Sequence, residues 1–147
     1  EIHSGDWSSD VCSSDLLASA DELWKIVVYH HPVYSSKQSR DNPDIRAAWV
    51  PVFDKHEVDL ALQGHDHAYM RTHPMRDGKR MADPAAGTVY VMAVSGTKFY
   101  EQELTDVAAV GFEDLRTYQI IDIDGRRLTY RAYDPDGEQV DEVVIVK

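Results

Sequence analysis

An α/β fold, with a mixed sheet that closes in an antiparallel hairpin region, is what this sequence predicts. Three observations carry that expectation. Two short apolar runs each stop abruptly at histidines, a helical stretch lies between them, and the tail from Thr117 alternates apolar and polar residues around turn dipeptides. Strand, helix, strand, with polar residues discharged at each strand end, is how an α/β sheet presents a site along one edge.

The first strand is expected over Trp24 to Tyr29, WKIVVY, ending at His30-His31-Pro32. Its apolar character is continuous rather than alternating, as in a strand buried on both faces. Residues 33–43 are rich in turn formers and read as a loop. Asn42 or Asp41 then caps a helix with Pro43 in its first turn. That helix places Ile45, Trp49, Val52, Phe53 and His56 along one face, and Pro51 inside it is expected to kink or divide it. Val58 to Gln63, VDLALQ, is the second strand and ends at Gly64-His65-Asp66-His67. Residues 71–86 read as a polar loop turning at Asp77-Gly78, and Gly87 to Gly96, GTVYVMAVSG, as a third strand. Residues 97–116 read as loop with a short helix. Thr117 to Asp124 and Arg127 to Asp134 form a hairpin about Asp124-Gly125. A turn at Asp134 to Gly137 leads to a last strand over Val140 to Val146.

At 147 residues the chain is sized for one domain with a real core. The net charge of −11 argues against a nucleic-acid surface, since phosphate backbones are met by clustered Lys and Arg. No apolar run is long enough to span a membrane. The single cysteine, Cys12, excludes an intramolecular disulfide.

Glu1 to Leu16, EIHSGDWSSDVCSSDL, stands apart. It is Ser- and Asp-rich, follows neither helical nor strand period, and has no basic or apolar region of a secretory leader. It resembles the in-frame translation of a sequencing-library adapter, with Asp6 to Leu16 as the fixed part, joined to a truncated gene during metagenomic assembly. Residues 1–16 are therefore expected to be non-native, and residues 17–147 to be the domain proper. Asp6 has no apolar strand to deliver it and is set aside as a ligand. Without Glu1, Asp6, Asp10 and Asp15 the chain keeps 22 acidic against 15 basic residues.

Four of the seven histidines, His30, His31, His65 and His67, concentrate at two strand ends. Neutral imidazole is a good ligand for Zn, Fe and Mn. An isolated His-x-His more often means two solvated side chains. Here the pair follows a buried-strand pattern and a glycine, and a second cluster ends another such strand. Together these favour a metal site, with a packed core histidine as the alternative at His30.

The strings VYHHPVYSS, DNPDIRAAWVPVFDKHEVDLALQGHDHAYMRT and GTVYVMAVSG resemble the latter part of the purple acid phosphatase-like, calcineurin-like metallophosphoesterases. The resemblance covers residues 24–147 and rests on an apolar strand ending in His-x-Pro and on Gly-His-x-His. It implies the C-terminal half of an αββα sandwich and a phosphoric ester hydrolase working through metal-activated water. It further implies that His30 and His65 share one metal and that His67 serves the other. His31 falls where the family varies, and either supports a ligand or packs in the core. Asp66 is read as solvated or as a support for the ligands. Tyr69 and Arg71 either line a phosphate pocket or serve packing.

The family's two ions, Fe(III) or a divalent metal with a second divalent ion (Fe, Zn or Mn), also need carboxylates from an N-terminal half whose motifs are missing here. The family's loop histidines are missing too; Ser35, Ser36 and Arg40 occupy that region. No residue of this chain is thus assigned a catalytic role. The expectation is an inactive fragment that holds at most one ion weakly, from a parent acting on phosphate esters and exported to the periplasm or medium. A non-catalytic single-metal module or a structural domain is the alternative.

Overall fold

The computed structural model describes the backbone from Ser9 and the side chains from Ser14, through to Lys147. Among the described residues two α-helices, α1 (Ser9–Ser19) and α2 (Pro43–Lys55), accompany ten strands. These are β1 (Ile26–Val28), β2 (Leu60–Gln63), β3 (Tyr69–Thr72), β4 (Met75–Arg76), β5 (Lys79–Arg80), β6 (Val89–Met92), β7 (Ala108–Phe112), β8 (Tyr118–Asp124), β9 (Arg127–Tyr133) and β10 (Gln139–Val146).

The central sheet runs β1-β2-β6-β3-β7. Its first three strands are parallel, with Val27 level with Ala61 and Ala61 with Tyr90. β3 joins antiparallel to β6, and β7 antiparallel to β3. A separate antiparallel sheet, β10-β9-β8, forms the C-terminal meander.

Alternation along the central strands explains the layering. Ala61, Tyr90, Met92 and Met70 face one core with Phe53 and Val50 of α2. Leu60, Val89, Val91 and Tyr69 face the other, against Leu128, Tyr130, Ala132 and Ile145 of the meander. β2 and β6 are covered on both faces, which is why they read as unbroken apolar runs, whereas β1, expected to be buried in the same way, is only half-buried. The order helix, mixed sheet, antiparallel sheet is the expected mixed α/β architecture. β1 lies at the sheet edge, where Val28 is 75% exposed.

Several local expectations are corrected. α2 is one helix despite Pro51. Proline removes a hydrogen bond to the carbonyl four residues back, here that of Ala47; both residues are exposed, so water reaches the freed carbonyl. The stretch read as a polar loop contains β3 and a small hairpin, β4 with β5, turning at Asp77-Gly78 with φ of 50° and 69°. Residues 97–116 contain β7 rather than a helix. The segment without helical or strand periodicity contributes to α1, which runs from Ser9 across the Leu16–Leu17 boundary. Leu17 packs against the helix-side core and anchors α1 there. Asp6 and the earlier part of the 1–16 segment lie outside the described residues. Among the described residues, no helix is long and apolar enough to cross a membrane.

Candidate metal centre

The parallel pairing of β1 with β2 continues past both strands and brings the histidines together. The Tyr29 amide donates to the Leu62 carbonyl at 3.0 Å, and the Gly64 amide to the His30 carbonyl at 2.9 Å. Gly64 serves through its missing side chain rather than through a left-handed backbone. A Cβ there would lie 3.3 Å from His30 Nδ1, so glycine leaves room for the ring. The left-handed residue is His65, at φ +71°. The Asp66 amide returns to the Gly64 carbonyl at 2.9 Å, closing a tight γ-turn around His65. A non-glycine residue in that region is strained, and such strain persists only where the surroundings enforce it.

Asp66 supplies the enforcement. Its carboxylate is fully buried and accepts from Arg40 Nε at 2.6 Å, Ser35 Oγ at 2.5 Å, and the Ser36 amide and hydroxyl at 3.0 and 3.2 Å. Arg40 also reaches the His65 carbonyl at 3.4 Å. The reading of Asp66 as solvated is therefore corrected: it ties the 35–40 loop to the histidine turn.

Three imidazoles meet at this edge. His31 and His65 have ring centroids 4.5 Å apart, and His30 stands 5.0 Å from His31 and 5.3 Å from His65. One ring nitrogen from each lies within 4.8 Å of the others. His30 and His31 are exposed, so an ion has a path in, and neither is a packed core residue. The His65 pKa is held below the ordinary histidine value, chiefly by burial, then by the Arg40 charge and His31, against the opposing pull of Asp66. The shift favours the neutral imidazole, the form that binds a metal.

His67 stands outside this cluster. Its Nδ1 lies 3.0 Å from the Lys98 carbonyl, and its ring stacks on Tyr100 at 4.7 Å. A carbonyl only accepts, so Nδ1 is the donor and Nε2 is the nitrogen turned away from this contact, the one a metal would take.

Tyr69 and Arg71 have a different task from lining a phosphate pocket. The Tyr69 hydroxyl donates to Asp141 at 2.7 Å, and Arg71 binds the same carboxylate twice, at 2.6 and 2.8 Å. They join the central sheet to the meander. Sequence reasoning missed Gln63, whose side-chain oxygen accepts from the Val33 amide at 2.9 Å while its nitrogen donates to the Tyr34 carbonyl at 2.8 Å. Its signal was a buried polar residue closing an apolar strand. Ser36 and Arg40 carried no such signal, because their partner lies across the fold.

The donor set suits one borderline ion: three imidazoles with coordination positions left open. It does not by itself suit two. Two dications at about 3.5–4 Å need carboxylates to bridge them and balance charge, and among the described residues the cluster is histidine only.

No family model matches the chain. An uncharacterized protein of Mycobacterium tuberculosis is 40% identical over 55 residues, covering 36% of this chain and 10% of that protein. Purple acid phosphatase 17 of Arabidopsis thaliana is 26% identical over 91 residues, covering 62% of this chain and 24% of that enzyme. Among solved structures, purple acid phosphatase PPD1 from yellow lupin (Lupinus luteus) seeds superposes with a TM-score of 0.80 at 21% identity, over 99% of this chain and 29% of that one. GAP50, the anchor in the inner membrane complex of Plasmodium, gives a TM-score of 0.70 at 17% identity, over 95% of this chain and 42% of that one. The chain thus spans less than half the length of each of these proteins, and its fold is purple acid phosphatase-like and calcineurin-like.

Proposed function

We propose that this chain is the histidine-bearing part of a metal-dependent phosphoesterase that hydrolyses phosphate esters, with residues 17–147 as part of the catalytic domain. One observation carries the reading: His30 and His65 meet, beside His31, at the carboxyl ends of the parallel strands β1 and β2 in a purple acid phosphatase-like fold. His30 and His65 would hold one ion and His67, through its Nε2, the other. A dinuclear centre supplies an activated water and a clamp on the attacking and leaving oxygens. The chain's own residues orient and hold: the Asp66–Arg40 pair fixes the His65 turn, and Lys98 fixes the His67 tautomer.

The bridging carboxylates belong in this reading to a preceding half of the domain, which would also continue the sheet beyond the β1 edge. Residues 1–16 are read as non-native. On its own the chain would then lack phosphatase turnover. The test is the source DNA upstream of the Leu17 codon. Aspartate and Asn-His motifs encoded there, in a longer protein that hydrolyses p-nitrophenyl phosphate only with metal, would bear the proposal out. An open reading frame starting near Leu17 would sink it.

A second reading has its own support. GAP50, similar in fold, is the anchor in the inner membrane complex of Plasmodium, so a structural module that binds a single metal or none is the alternative. A longer protein that binds metal but hydrolyses no phosphate ester would favour it.

A further inference from the structure

We infer that His31 is a metal ligand, and that His30, His31 and His65 together hold a single ion of the Zn class. This goes beyond the phosphoesterase reading: it shares His30 and His65 with it, but needs neither His67 nor any phosphate ester.

Geometry carries the inference. The three rings are mutual neighbours at 4.5 to 5.3 Å between centroids. One nitrogen from each falls within 4.8 Å of the other two. Around a tetrahedral ion with Zn–N near 2.0–2.1 Å, ligand nitrogens stand about 3.3–3.4 Å apart. Closing the remaining gap of at most about 1.5 Å takes side-chain rotation, for which the exposure of His30 and His31 leaves room. His65 is the fixed member, because the γ-turn and the Asp66–Arg40 pair hold its backbone. The guanidinium beside it is neutralised by Asp66, which limits its repulsion of an incoming cation. The ends of two paired strands complete the triad. His30 and His31 are adjacent in sequence, and the β1–β2 pairing delivers His65 to them.

Three imidazoles and an open fourth position form a recognised zinc donor set. Co²⁺ reports such a site directly, since its visible absorption is strong when four-coordinate and weak when six-coordinate. The experiment titrates the full chain with Co²⁺, then displaces it with Zn²⁺. The expected result is one ion per chain with a four-coordinate spectrum. His31→Gln, at an exposed position, should weaken binding at least about tenfold, the scale on which even supporting partners of a ligand matter. His56→Gln serves as the control and should leave binding as it was, its ring being 3.5 Å from Ser14 rather than in the cluster. Unchanged affinity in His31→Gln would overturn the inference, as would a loss on His67→Gln with none on His31→Gln. A chain that binds Co²⁺ through His31 while the longer protein hydrolyses no phosphate ester would uphold this inference and defeat the phosphoesterase reading.

Discussion

Arg40 Nε and Asp66 Oδ1 stand 2.6 Å apart, joining a loop that follows the first histidine pair to the turn that carries the second. The Asp66 side chain is fully buried, so its charge is compensated by Arg40 and by three donors from Ser35 and Ser36. Breaking such a pair from one side is costly, because the partner keeps its desolvation penalty.

Asp66→Ala is therefore expected to destabilise the chain by about 3–5 kcal/mol in urea unfolding. Asp66→Asn keeps the shape and most donors' partner, and should cost less. Both variants should lower Co²⁺ affinity even where the fold survives, because His65 loses the restraint on its turn.

A second buried pair joins the two sheets. Arg71 and Asp141 are 12% and 5% exposed at their side chains, and the Tyr69 hydroxyl shares the carboxylate. Asp141→Ala should cost about 3–5 kcal/mol, while a well-packed double replacement, Arg71→Met with Asp141→Leu, should recover much of that loss. Comparing the two midpoints in denaturant checks it. Metal affinity should follow stability here and show no separate effect.

His65 occupies left-handed backbone at φ +71°, where asparagine is tolerated and β-branched residues are not. His65→Asn is expected to change stability by less than about 0.5 kcal/mol, and His65→Val to cost about 1–2 kcal/mol. Both should abolish Co²⁺ binding. Equal stabilities for the Asn and Val variants would contradict the strained turn.

Burial raises the phenol pKa of Tyr29, Tyr34, Tyr69, Tyr90 and Tyr130 above the ordinary value near 10. A pKa raised on folding contributes stability that is whole below the unfolded value and is lost as pH climbs toward the folded one. Alkaline titration should therefore show these five of the eight tyrosines ionising late and together with unfolding. Tyrosinate absorbance and circular dichroism, recorded side by side, check whether the two events coincide.

What the sequence made legible follows the periodicity rules closely. The two parallel strands that end at histidines, α2, the C-terminal hairpin and its last strand all announced themselves through apolar runs, helical spacing after Pro43 or turn dipeptides, although β1 is an edge strand and Asn42 stands at the helix start without capping it through its side chain. β3 and β7 did not. YMRT mixes a tyrosine and an arginine that pair with Asp141 far along the chain, and AAVGF is too short and too small in its side chains to signal a strand. At the site, the clustering of His30 and His65 was readable from their places at strand ends. The part of His31 was not, because it depends on how the chain leaves β1. The same is true of Asp66, whose burial is created by Ser35, Ser36 and Arg40 from another loop.

The meander of β8, β9 and β10 is built from neighbours in sequence, whereas β1 meets β2 only across the whole of α2. Local pairings close small loops and form quickly, while distant ones wait on a larger entropic toll. The C-terminal sheet is thus positioned to assemble early and act as a floor onto which Leu60, Val89 and Tyr69 settle. The histidine edge closes a shorter loop than the docking of the two sheets, 34 positions between Tyr29 and Gln63 against 72 between Tyr69 and Asp141, so by the same rule it needs only the β1–α2–β2 unit and not the meander to form.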